Sequence, residues 1–134
     1  MSKLTNSWTR DSIIDDEADV YDDKPIGGIK RFTGLAASGV NQLEHLNLID
    51  VNDRQNNAPS IAEFQKFARE HPDNDISFDG YTVIPERDDY RTSIDAIRMS
   101  LYDYQDLADF VELCKGHTPD ELNTENNQLR AWWD

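Results

Sequence analysis

Residues 73–97 constrain the fold more than any other part of the chain. They read DNDISFDGYTVIPERDDYRTSIDAI: two β-branched and aromatic runs, then a third run that alternates. On either side lie segments whose apolar residues recur at helical spacing. Side chains repeat every two residues along a strand and every 3.6 along a helix. A chain that passes from one period to the other and back places strands in its middle and helices around them. The expected fold class is therefore α+β: a small antiparallel β-meander near residues 75–97 packed against three or four α-helices.

The runs "ISF" and "YTV" are separated by Asp79-Gly80. Asp-Gly suits a two-residue type I′ hairpin, whose two central positions both need positive φ. Ile76 and Phe78 would then share a face, and Tyr81 and Val83 would alternate on the partner strand. "PERDD" would form the second turn. In the third strand Tyr90, Thr92, Ile94 and Ala96 would point one way and Arg91, Ser93 and Asp95 the other. The same stretch also fits an EF-type calcium loop through Asp75, Ser77, Asp79, Gly80 and Glu86, with short oxygen side chains converging on a hard cation. Pro72 and Pro85 fall where the flanking helices of such a loop should run, and Ile76 and Phe78 would face water. The hairpin is the preferred reading. A calcium module built on Asp75, Ser77, Asp79 and Glu86 is the alternative.

The flanks are helical. Leu35, Leu43 and Leu46 predict a helix over 35–46, weakened by roughly 1 kcal/mol at Gly39 relative to Ala. "LNLIDV" could end that region as a short strand. "PSIAEFQKFAREHP" predicts a helix with Pro59 in its first turn, an apolar stripe of Ile61, Phe64, Phe67 and Ala68, and a stop at Pro72. "SLYDYQDLADFVELCKGH" predicts another, with Leu107, Phe110, Val111 and Cys114 inward and Gly116 as its cap. "HTPDEL" then has the makings of a capping box, Thr118 with Glu121, opening a last helix. Residues 1–30 lack a sustained period and carry an acidic patch from Asp15 to Asp23. They are expected to form a partly flexible acidic arm ahead of a single domain over 31–134.

Charge bounds the function. The 134 residues include 27 acids and 13 bases, a net charge of −14. Such a field disfavours direct nucleic-acid binding and anionic membranes. One cysteine rules out an intramolecular disulfide framework, and no N-terminal apolar run resembles a signal peptide, so a cytoplasmic protein is expected. Catalytic signatures are missing. Cys114 and His117 form C-x-x-H without further zinc ligands, His45 and His71 stand alone, and pairs such as Glu44-His45 and Asp88-Asp89 are unremarkable in so acidic a chain. No cofactor is expected.

The function expected is non-enzymatic binding to a basic protein surface, as an inhibitor, immunity or accessory protein of the bacterial or phage type whose carboxylates stand in for phosphates. The expected contacts are Asp15, Asp16, Glu17, Asp19, Asp22 and Asp23 of the arm, Asp103, Asp106, Asp109 and Glu112 of the later helix, and Trp133, one of the Trp132-Trp133 pair. A small enzyme or enzyme subunit is the remaining alternative. It would need His45, His71 or His117 beside carboxylates in a concave site.

Overall fold

The structure, a computed structural model, describes residues 3–21 and 26–134. It is α+β, with four helices and one six-stranded sheet: α1 (Lys3–Glu17), β1 (Asp19–Val20), β2 (Ile29–Ala36), α2 (Ala37–His45), α3 (Ile61–Glu70), β3 (Ser77–Val83), β4 (Thr92–Ser100), α4 (Tyr104–Gly116), β5 (Glu121–Glu125) and β6 (Gln128–Trp132). The sheet order is β1-β2-β3-β4-β6-β5 and every neighbouring pair is antiparallel. One hydrophobic cluster joins Ile14, Val40, Leu43, Phe64 and Phe110 of the helices to Phe32, Leu35, Phe78, Ile97, Met99 and Leu129 of the strands. The helices therefore cover one face of the sheet.

The expected hairpin turn at Asp79-Gly80 is overturned. Residues 77–83 form a single strand at the centre of the sheet, bonded to β2 on one side and β4 on the other. The reason lies in what Gly80 approaches. A Cβ there would stand 2.0 Å from the Ser93 carbonyl oxygen and 2.8 Å from Phe32 Cζ. The glycine serves close packing of two backbones rather than a positive φ. Asp79 pairs with Ala96 and Gly80 with Ile94, so Asp95 is an extra residue in β4. That bulge resets the alternation. The core side chains of β4 are consequently Ile94, Ile97 and Met99, and the expected Tyr90–Ala96 face does not persist.

The true two-residue turn is Asn126-Asn127, with φ of 51° and 65°, between β5 and β6. Asparagine enters the left-handed region more readily than other side-chain-bearing residues. The expected helix opening at Thr118 does not form. Asp120 N donates to Trp132 O instead, and the segment runs on as a strand.

The N-terminal arm is also corrected over its described part. Residues 3–17 are helical, and α1 buries Arg10 and Ile14 in the fold. The Arg10 guanidinium donates to the backbone oxygens of Val83 and Arg91, both at 3.2 Å. One buried arginine ties the helix to the ends of two strands, which a search for apolar periodicity overlooks. Asp22 and Asp23 lie outside the described residues.

The two flanking helices occur where expected, with different caps. Ser60 rather than Pro59 starts α3, in a reciprocal capping box with Glu63. Asp103 and Asp106 do the same for α4. Phe110 and Cys114 of α4 are buried, whereas Leu107 and Val111 are each 37% exposed. "LNLIDV" is irregular, and its Leu48, Ile49 and Val51 pack against the core without joining the sheet. Among the described residues no helix is long and apolar enough to cross a membrane.

Candidate functional site

Helices α3 and α4 lie antiparallel, and two histidines fasten them at opposite ends. His71, the C-cap of α3, places Nε2 2.8 Å from Asp109 Oδ2 on α4. His117, the C-cap of α4, places Nε2 2.9 Å from Glu63 Oε2 in the first turn of α3. Each ring nitrogen pair meets two acceptors: Nδ1 of His71 lies 2.8 Å from Phe67 O, and Nδ1 of His117 lies 3.1 Å from Asn57 O. The His71 ring also stacks on Phe67 with centroids 4.3 Å apart.

The electrostatics of the His71 end follow from this geometry. Burial by itself lowers the His71 pKa, but the Phe67 carbonyl and the Asp109 carboxylate, with Asp106 beyond, outweigh it and hold the imidazole above its ordinary value. The bonds from His71 and Gln105 hold Asp109 below the ordinary carboxylate range. At the other end, burial pushes Glu63 upward. The Ser60 N–H and His117 more than offset that and lower it.

Between the two clamps runs an open groove of about 350 Å³. Glu63, Glu70, Asp109 and Glu112 line it, with Lys66 as its one lysine or arginine; Phe67 and Leu113 supply its apolar surface. The groove therefore combines an excess of acids with a partly apolar floor, a pattern suited to cationic side chains with long methylene stems, although Glu63 already meets Arg54 and His117, Asp109 meets His71 and Glu112 meets Lys115, which leaves Glu70 as the acid with no ion pair among the described residues.

The expected contact residues are divided by the fold. Asp109 and Glu112 line the groove. Asp103 and Asp106 lie nearby but are engaged in capping, with Asp106 accepting from the N–H groups of Tyr102 and Asp103. Asp15, Asp16 and Glu17 are exposed on the last turn of α1 and Asp19 on β1, beside β2 and at the other side of the helical layer. They do not join the α4 acids. Trp133 is withdrawn as a contact. It is fully buried, edge-on to Phe64 at 5.7 Å, and its indole N–H donates to His117 O at 3.1 Å.

No protein-family model, curated protein or solved structure matches this chain.

The calcium loop is not formed. Ser77 and Asp79 sit in an extended strand, and Asp79 is fully committed: it accepts from Thr33 Oγ1 at 2.6 Å, Gly34 N at 3.1 Å, Arg98 Nη2 at 3.1 Å and Arg130 Nε at 3.4 Å. Asp75 instead accepts from the Tyr102 hydroxyl. Among the described residues no cluster of histidine, cysteine and carboxylate groups is placed to hold a metal ion. Cys114 is buried among apolar side chains, and that burial pushes its thiol up to about 11, which disfavours the thiolate. His45 is exposed, while His71 and His117 do stand beside carboxylates. Their positions were readable in part: each follows the last turn of an amphipathic helix, where a histidine meets free carbonyls. The carboxylate partners come from the neighbouring helix, and no local spacing reveals them.

Proposed function

We propose that this protein is a non-enzymatic binding protein that engages a basic surface of another protein through the α3–α4 groove, as an inhibitor or accessory protein. The observation that carries this reading is the convergence of Glu63, Glu70, Asp109 and Glu112 on one groove. A lysine or arginine laid along it meets carboxylates on both walls and apolar surface beneath. The exposed Tyr104, Leu107 and Val111 on the far flank of α4 add apolar contact area next to this charge. The excess of acids over the whole chain steers a cationic partner toward it.

The test is capture of the partner from host extract, followed by measurement with the purified pair. The expected partner is basic, its affinity falls steeply as salt rises, and the Glu70→Lys, Glu112→Lys variant fails to bind it. A partner that binds this variant as well as the unaltered protein, or whose affinity ignores salt, would sink the proposal.

A further inference from the structure

The two edges of the sheet are built differently. At one end β1 is only two residues long, and α1 packs beside it. At the other end β5 runs for five residues in unbroken register with β6, and no strand lies beyond it among the described residues. Edge strands are commonly blunted by shortness, a bulge, proline or lysine, because their unpaired backbone groups are a template for another strand. β5, ELNTE, has none of these, and its only charged residues are acids. Such a guard repels an acidic strand and admits a basic one.

The direction of its free groups follows from the turn. Asn126-Asn127 is a two-residue loop, so Glu125 and Gln128 form the closing hydrogen-bonded pair. By alternation the N–H and C=O groups of Glu121, Asn123 and Glu125 face β6, and those of Leu122 and Thr124 face away from the sheet.

The helical layer also stops short of this edge. Across the layer α1 contacts α2 and α2 contacts α3; α1 and α2 lie against β2, and α3 against β4. α4 follows, joined to α3 by the two histidines. Leu122 pairs with buried Ala131 and so points to the helical face, yet it is 50% exposed. The flank of α4 turned away from α3 carries Tyr104, Leu107 and Val111 at i, i+3 and i+7, all exposed. A concavity of about 340 Å³, lined by Leu101, Thr124, Asn126 and Asn127, opens between the start of α4 and the β5–β6 turn. A free edge therefore adjoins uncovered apolar surface.

The surrounding charge selects among strands. Asp103 and Asp120 accept backbone N–H groups but have no ion pair among the described residues. Glu121 reaches Arg130 at 3.8 Å, and Arg130 is shared with Asp79. Lys115, the exposed base on this flank of α4, is tied to Glu112. A second copy would bring the same acidic edge and a further net charge of −14.

We propose that β5 receives an extended basic segment of another protein as a seventh, antiparallel strand. The apolar side chains of that segment lie against Leu122 and the exposed flank of α4, and its lysines or arginines lie on the opposite face, toward Glu121. The site goes beyond the α3–α4 groove and does not depend on it; the two meet only along α4.

The test uses the full chain and short synthetic peptides in which lysine and valine alternate. Paired in this way, the valine N–H groups face β5 and the lysine N–H groups face water. The controls replace lysine by glutamate, N-methylate the valines, or N-methylate the lysines. The lysine peptide is expected to bind saturably and to slow hydrogen exchange at the Leu122 and Thr124 amides, which are open in the free protein. Methylation at the lysines should change little. Methylation at the valines, or exchange of lysine for glutamate, should weaken binding about tenfold or more. Thr124→Pro removes an outward donor without touching the bonds to β6 and should weaken binding similarly. Leu122→Lys places a cation against the basic strand, and it carries the experiment if Thr124→Pro does not fold. Glu70→Lys, in the groove, should bind the peptide as the unaltered protein does, which separates failure here from failure of the groove reading. Four results would overturn the proposal: no binding of the lysine peptide, equal binding of the valine-methylated or glutamate peptide, full affinity in a folded Thr124→Pro or Leu122→Lys protein, or a dimer that protects the Leu122 and Thr124 amides without peptide.

Discussion

Replacing Asp79 by Asn tests whether the middle of the sheet is organised as described. Asp79 is 6% exposed, at the centre of β3, and takes donors from three strands: Thr33 and Gly34 of β2, Arg98 of β4 and Arg130 of β6. Gly34, at φ 77°, lies in the irregular step between Phe32 and Leu35, and that step turns the Thr33 hydroxyl and the Gly34 N–H onto one carboxylate oxygen. An asparagine keeps the shape. Its single oxygen can still accept from β2, but its amide group then faces the two guanidinium groups. Hydrogen bonds to charged groups are worth about 1.5–3 kcal/mol each. Both arginines retain some exposure and can recover water, so the lower end applies to each. The expected loss is about 3 kcal/mol, a large part of the roughly 5–15 kcal/mol that a domain of this kind has available, and a fall in melting midpoint of about 10 °C. Urea unfolding at pH 7 measures it, with the denaturant slope unchanged. The pH dependence adds a second check. Burial would raise the Asp79 pKa, but Thr33, Arg98 and Gly34 lower it below the ordinary value. A depressed folded pKa gives stability that is fully present above the unfolded value, about 3.9, and is lost as pH falls through the folded one. The gap between the two proteins should therefore be constant near neutrality and narrow only in acid below about pH 4. A gap under about 1 kcal/mol at pH 7, or one that does not narrow in acid, would refute the reasoning.

Further outcomes follow from other parts of the structure. Gly80→Ala places a methyl group against the Ser93 carbonyl, where neither backbone can yield cheaply, and should cost more than about 3 kcal/mol or prevent folding; a near-neutral result in urea would show that β3 and β4 separate easily at the bulge. Asp109→Asn removes the carboxylate that holds the His71 pKa up. A raised folded pKa gives stability present below the unfolded value, about 6.5, and lost as pH rises through the folded one. The deficit of the variant should therefore be greatest in mild acid and vanish toward alkaline pH, and a deficit that grows with pH would contradict the assignment. Cys114, with its thiol pushed up to about 11, should react with a thiol reagent in the unfolded protein and scarcely at all in the folded one at pH 8.

The sequence revealed the class of the fold and the amphipathic helices more readily than the connections. Ile61, Phe64, Phe67 and Ala68 share a face by spacing alone, and they are buried in α3 as that spacing requires. Asp79-Gly80 misleads because a glycine between two strand-like runs has two physical uses, positive φ or close approach. The neighbours that decide between them, Phe32 and Ser93, are distant in the chain. Asn126-Asn127 carries the weaker local signal for a type I′ turn and is the actual one. The helix of residues 3–17 was hidden because its anchor is a charged side chain, Arg10, whose partners are backbone oxygens some 70 residues onward or more. For the candidate site, net charge pointed toward acids in general. It could not separate Asp109 and Glu112, which line the groove, from Asp103 and Asp106, which cap a helix, because capping and partner binding draw on the same residue types.

That ambiguity has an experimental resolution, since the two sides of the molecule use their charges differently. On the open side of the sheet the carboxylates are consumed internally: Asp79 by Arg98 and Arg130, and Asp95, 3% exposed, by Arg31 at 3.3 Å. Burial raises the Asp95 pKa, and Arg31 is the largest influence opposing it. Arg31→Met would leave a buried carboxylate without its cation, so its effect should appear as a loss of about 1–3 kcal/mol in folding stability with no change in partner affinity. On the helical side, Glu70 and Glu112 are exposed and line the groove without supporting a cap or holding a histidine. Glu70→Gln with Glu112→Gln should leave stability equal or slightly higher, because it relieves self-repulsion in a chain of net charge −14, while weakening the basic partner and flattening the salt dependence of binding. The two pairs of measurements, unfolding and affinity, should separate cleanly. If Arg31→Met weakens the partner without destabilising the fold, the interface belongs on the sheet and the groove between α3 and α4 is only a solvated seam.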